Sequence, residues 1–181
     1  MGQEHRLKER PKPTREDAVN ATDIANDLHN DFVSSGAMWR SLMKAREAGI
    51  VQFDQHRVER VVMLHMVVAC CKVDDLLAHP PYAMLLGDFE RDWRRDVRRH
   101  IAAVQLRDLR NGYMGHIHYG DLNRPMYASE LDALLKKVTG GKMDTFVDWA
   151  CGDQSPMMLM LAIRNFLAEK HTIKSGEIVN R

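Results

Sequence analysis

Arginine, asparagine and histidine stand close together in LRNGYMGHIHYG, the stretch from Leu109 to Gly120, as Arg110, Asn111 and His116. These are residue types suited to work on a phosphate. A guanidinium offers a fixed fork of donors to phosphate oxygens, and an imidazole titrates near neutrality, so it can take up a proton and return it. Scission of an RNA strand uses both properties. The 2′-hydroxyl must lose a proton, the 5′-oxygen must gain one, and the pentacovalent transition state carries added negative charge.

Spacing constrains how these residues meet. On a continuous helix, six positions separate Arg110 from His116 by ~9 Å of rise and roughly 120° of rotation. The pair converges on one phosphate only if the arginine uses its length, the helix distorts at Gly112 or Gly115, or a second copy supplies the missing partner. If the helix stays regular, Arg107, Asn111, Met114 and His118 form a competing stripe, spaced four, three and four apart. Tyr113 and Tyr119 add aromatic surface for a bound substrate. A purely structural account is also open: Gly112, Gly115 and Gly120 each weaken a helix by about 1 kcal/mol relative to alanine, so the stretch is where a helix ends. His116 would then face the negative end of its helix dipole.

The segments around the stretch predict an all-α architecture, a bundle of four or five helices. Thr14, followed by Glu16 and Asp17, is a hydroxyl cap with acids in the first turn. Ala18, Ala21, Ala25, Leu28 and Phe32 then make an apolar stripe that extends past Gly36 through Trp39, Leu42 and Met43. Asp23, Asn26, Asp27 and Asn30 give this helix a polar, solvent-facing side, from which one residue could buttress the motif arginine, Arg110, across the bundle. Asp54 can cap a second helix that ends at Ala78 before Pro80 and Pro81. Asp88 can cap a third, burying Phe89, Trp93, Val97, Ile101 and Val104 and running straight into Arg110. Its run RDWRRDVRRH places Arg91, Arg94, Arg95, Arg98 and Arg99 on the opposite side. That side is either a solvated face or a groove wall in which Arg95 and Arg99 track an RNA backbone. Ser129 to Val138 forms a shorter helix closed by Gly140 and Gly141, followed by a brief apolar segment around Phe146, Val147 and Trp149. Ser155 and Pro156 start the last helix through Met160, Ile163 and Leu167.

Residues 1–13 are expected to be an arm, 14–171 a single bundle domain and 172–181 a tail. The chain has 181 residues, 45% hydrophobic and 28% charged, with 6 prolines and 11 glycines, which excludes disorder as its overall state. A formal net charge of +1 argues against wrapping nucleic acid by bulk electrostatics, so any anion-binding surface must be local. Cys70 and Cys71 are adjacent and Cys151 stands alone, which encodes neither a disulfide framework nor a paired-cysteine zinc site and fits a reducing cytoplasm. A site of three histidines would need His29, His65 and His116 or His118 to converge, and their spacing does not argue for it; His65 reads as a core or interface histidine. The charged N-terminus lacks the apolar stretch of a signal peptide. The most apolar run, Val61 to Cys71, is roughly half of what a membrane span needs. Neither membrane insertion nor a cofactor is expected.

Arg110, Asn111 and His116, near the end of a long helix in a small bundle, resemble the motif of the HEPN domains. There an arginine is separated from a histidine by four to six residues, often with a polar residue just after the arginine. The resemblance implies a four- or five-helix bundle that dimerises with its two motifs across a cleft, and a metal-independent endoribonuclease leaving a 2′,3′-cyclic phosphate. It also implies a toxin, abortive-infection or other defence setting in which an antitoxin or other protein can be a partner. In these terms His116 is the general acid or base, Arg110 stabilises the phosphorane and Asn111 orients phosphate or base. Tyr119 departs from the antitoxin-paired pattern, standing three rather than two residues after the histidine. The same bare spacing also occurs at Arg60 with His65, Arg95 with His100 and Arg164 with His171. A competing function keeps the fold without catalysis, as an interaction or nucleotide-binding module that works by dimerising with a partner.

Overall fold

The computed structural model describes residues 12–111, 128–174 and 176. Among them there is no strand, and eight helices follow in order: α1 (Arg15–Glu47), α2 (Gln55–Ala78), α3 (Pro80–Leu86), α4 (Arg91–Ala103), α5 (Leu106–Arg110), α6 (Ala128–Thr139), α7 (Met143–Cys151) and α8 (Pro156–Lys170). Five of them, α1, α2, α4, α6 and α8, have 12 residues or more, so the bundle expected from the sequence is present with three shorter helices added.

Helix α1 is the spine. Its N-terminus is closed by a reciprocal pair: the Asp17 N–H donates to Thr14 Oγ1 at 3.1 Å, and the Thr14 N–H donates to the Asp17 carboxylate at 2.8 Å. Ala18, Ala21, Ala25, Leu28, Phe32 and Trp39 are all buried along one stripe, against which α8 and α2 pack. Gly36 does not break the helix, because the absent side chain is what lets α7 approach. A Cβ there would come within 3.0 Å of Cys151 Sγ.

Asp54 caps α2, accepting from the Arg57 N–H at 3.4 Å. Pro80 and Pro81 end that helix and also open α3, since a proline at the first helical positions loses no hydrogen bond. Ser155 accepts from the Met158 N–H at 3.2 Å to cap α8. The apolar segment around Phe146 is the helix α7, with Phe146 and Val147 buried.

Several expectations are corrected. The third helix does not run unbroken from Asp88 to Arg110. It starts after Glu90 rather than at Asp88, and it is interrupted at Gln105, whose φ of 58° and ψ of 40° are left-handed and turn the chain before α5 begins. Asn26 is not solvated but buried, accepting from Arg164 Nη1 at 3.2 Å, so the arginine that α1 buttresses is on α8. The expected tail contributes Ile173 to the core. Of the expected arm, residues 1–11 lie outside the described residues. No helix among the described residues is long and apolar enough to cross a membrane.

Candidate functional site

Arg107 and Arg110 lie three positions apart on the single-turn helix α5, whose apolar side chains Leu106 and Leu109 are fully buried. Those two leucines anchor the turn and leave its arginines facing the C-terminal end of α2. There, Asp74 and Asp75 stand in the last turns of α2, and the Asp74 side chain is only 13% exposed.

The three arginines that meet these acids are held very differently. Arg98 of α4 donates from Nε to Asp74 Oδ1 at 2.7 Å. Arg107 donates from Nε and Nη2 to Asp74 Oδ2 at 2.9 and 2.5 Å, and from Nη2 to Asp75 Oδ1 at 2.6 Å. Charge-assisted bonds of this number and length commit the Nε and Nη2 donors of Arg107. Burial raises the carboxyl of Asp74, but the hydrogen bonds from Arg98 and Arg107 outweigh it and hold the group below its ordinary value, while the same bonds push Arg107 further up.

Arg110 is the loosest of the three. Its Nη1 stands 3.5 Å from Asp75 Oδ2, an ion pair rather than a short hydrogen bond, and its Nε donates to Asn111 Oδ1 at 3.1 Å. Arg110 is also the least exposed of the three, 30% against 41% for Arg107 and 45% for Arg98, and is oriented from one side by Asn111 and drawn from the other by Asp75. Three guanidiniums therefore meet two carboxylates, which leaves one positive charge in excess. Cys71 lies beneath the cluster one turn before Asp75. Burial raises its thiol to about 11, against the pull of Arg110 and Arg107.

Of the residues picked out in the sequence, Arg110 and Asn111 are adjacent in the described structure, whereas Tyr113, Met114, His116, His118 and Tyr119 lie outside the described residues. Arg107 belongs to the cluster as a buttress. Arg95 and Arg99 are not brought to it: Arg95 pairs with Asp92 at 2.8 Å and Asp96 at 3.6 Å, and Arg99 pairs with Asp96 at 3.4 Å. Their neighbours are matched as well, Arg91 with Asp88 and Arg94 with the Gly87 carbonyl at 2.6 Å. The arginine run on α4 is thus largely neutralised by the acids interleaved with it. Among the described residues Arg98 ties this run to α5 through Asp74, an acid that the sequence motifs did not single out. The available signal was the Asp74–Asp75 doublet, two adjacent acids just after the apolar run Val61 to Cys71.

The three competing arginine–histidine pairs are absorbed into packing. His65 shares a 2.6 Å hydrogen bond with Ser35 Oγ and lies 3.9 Å from Asp31, tying α2 to α1. His100 stacks on Trp149 with ring centroids 4.2 Å apart, and burial lowers its pKa. Arg164, ahead of His171, spends its guanidinium on Asn165 and Asn26. His29 meets the Met157 carbonyl at 3.2 Å. Among the described residues, no group of three or more histidines, cysteines or acids is arranged to hold a metal ion.

No family model matches the chain, and no curated protein matches it. A similar solved structure is that of an integron cassette protein from the mobile metagenome of V. paracholerae. It is 17% identical with a TM-score of 0.67 over 87% of this chain and 99% of that one. At that identity the likeness is one of fold.

Proposed function

We propose that this protein is a metal-independent endoribonuclease of the HEPN kind, acting as a homodimer on RNA. In this reading Arg110 binds the scissile phosphate, Asn111 orients it, and His116 moves the proton of the 2′-hydroxyl. The products are a 2′,3′-cyclic phosphate and a 5′-hydroxyl. A toxin or defence effector held by an antitoxin is the biological setting proposed with it.

One observation carries the reading: Arg107 spends Nε and Nη2 on short hydrogen bonds to Asp74 and Asp75, while the contact of Arg110 with Asp75 beside it is a looser 3.5 Å ion pair. A phosphate ligand needs a guanidinium with donors to spare, which favours Arg110 over the stripe built on Arg107. The homodimer belongs to the proposal because six positions on a continuous helix would set Arg110 and His116 roughly 120° apart, and one short motif offers few donors. A two-fold axis supplies the second set.

The test is RNA cleavage by the purified full chain in excess chelator. Activity should persist, and His116→Ala should lower it by about 10²- to 10⁴-fold, the usual worth of a positioned proton-transfer group. Arg110→Ala should do likewise, and His118→Ala should keep most of the activity. Mixing Arg110→Ala and His116→Ala subunits should restore part of it in the heterodimer. Cleavage that disappears with the chelator, or a monomer cutting at full rate, defeats the proposal. A stable dimer that never cuts RNA identifies a non-catalytic interaction module instead.

A further inference from the structure

Between α1, α2 and α3 lies a cavity of about 410 Å³, open to solvent and large enough for a small ligand. Its walls are of two kinds. Leu28 and Leu76 are buried apolar side chains and Ile24 is partly exposed at 36%, while His79 and Tyr82 stand together with ring centroids 4.4 Å apart. Such a surface suits a flat heterocycle, which gains from apolar contact and from stacking on aromatic rings.

Asp75 joins this cavity to the arginine cluster. It lines the cavity, its Oδ1 is held by Arg107 at 2.6 Å, and its Oδ2 lies 3.5 Å from Arg110 Nη1. Whatever occupies the cavity and whatever binds Arg110 are therefore separated by one carboxylate. Charge decides which end of a nucleotide goes where. Asp27 and Asp31 on the α1 wall, against Lys72 on α2, make the cavity hostile to a phosphate, whereas the arginine cluster carries one positive charge in excess. The uncharged base and sugar fit the first and the phosphate fits the second.

We infer that the cavity is a nucleoside subsite of the Arg110 phosphate site, and that Asp75 accepts a hydrogen bond from a ribose hydroxyl of the nucleotide bound across the two. A carboxylate is an acceptor without donors, so its natural partner on a sugar is a hydroxyl, and the 2′-hydroxyl is the group that separates RNA from DNA. The inference rests on the reading of Arg110 as a phosphate ligand and adds to it a place for the sugar and base, together with a residue that selects ribose.

Calorimetric titration of the full-length protein with adenosine 3′-monophosphate and its 2′-deoxy analogue tests this without requiring cleavage. The ribonucleotide should bind about ten-fold more tightly, the usual worth of one charge-assisted hydrogen bond. Asp75→Asn should bring the two affinities close together. Ile24→Trp, which fills the cavity from its exposed rim, should weaken both nucleotides while leaving inorganic phosphate unaffected, and Arg110→Ala should weaken phosphate and nucleotides alike. Equal affinities for ribose and deoxyribose in the native protein, or nucleotide binding indifferent to Ile24→Trp, would overturn the inference. Nucleotides bound in this pattern by a protein that never cuts RNA support the subsite and refute the ribonuclease reading. RNA cut by a protein whose nucleotide affinities ignore both Asp75→Asn and Ile24→Trp does the reverse.

Discussion

Arg107 and Arg110 have the same side chain and are separated by one helical turn, yet the acids at the end of α2 give them different work. Arg107 is spent on Asp74 and Asp75; Arg110 is only steered. The shared acid Asp74 should therefore matter to stability more than to chemistry. Asp74→Asn should cost about 2 kcal/mol at neutral pH, since hydrogen bonds from two guanidiniums lose their charged acceptor in a site largely closed to water. The pH dependence follows from the sign of the shift. Folding holds this carboxyl below its ordinary 3.8, so the unfolded chain binds the proton more readily. The stability that Asp74 contributes is present above that value and is lost as pH falls through the folded one. Urea denaturation of both proteins should show a gap at pH 7 that narrows in acid. A gap that stays constant with pH would mean that the ion pair is not the source.

At the scale of elements, the break between α4 and α5 is what sets the direction of Arg110. Gln105 adopts a left-handed conformation that costs an ordinary residue about 1–2 kcal/mol, and it is held there partly by Lys137 Nζ, which donates to Gln105 Oε1 at 2.7 Å. A β-branched residue tolerates that conformation worst. Gln105→Ile should destabilise the protein by about 2 kcal/mol and, by shifting α5, reduce the proposed RNA cleavage more than the stability loss explains. Gln105→Gly should spare the turn. If both variants unfold and cut like the native protein, the left-handed turn does not orient the arginine.

The whole molecule is organised by close approaches to α1. At Gly36 that helix passes so near Cys151 that a Cβ would press on its sulfur at 3.0 Å, and the thiol also contacts the Phe32 carbonyl at 3.5 Å. Gly36→Ala, normally favourable within a helix, should here destabilise by about 1–2 kcal/mol because the intruding methyl is overpacked. Cys151→Ala should be mild. The double variant should be more stable than the sum of the single effects predicts, since removing the sulfur makes room for the methyl. Thermal or denaturant unfolding of the four proteins measures the coupling, and simple additivity would place the strain elsewhere.

Local chemistry was sufficient for the helices themselves. The Thr14 and Asp54 caps, the Ser155–Pro156 start and the alanine stripe of α1 act through neighbours within four residues, so the sequence by itself determined an all-α bundle and most of its boundaries. It also placed Arg110 and Asn111 together, because they are adjacent in the chain. Tertiary structure alone decided the rest. Acids three positions earlier mark Arg91, Arg95 and Arg99 as locally paired, but that Arg98 rather than Arg94 meets Asp74 depends on how α4 lies across α2. Neither could spacing tell that Gln105 turns the chain, because glutamine carries no preference for a left-handed conformation. Asn26 looked solvated on a polar face until Arg164 reached it from α8. In each case the deciding partner lies more than twenty residues away or in a backbone conformation the residue type does not announce, and the energy of that contact exists only once the helices have packed.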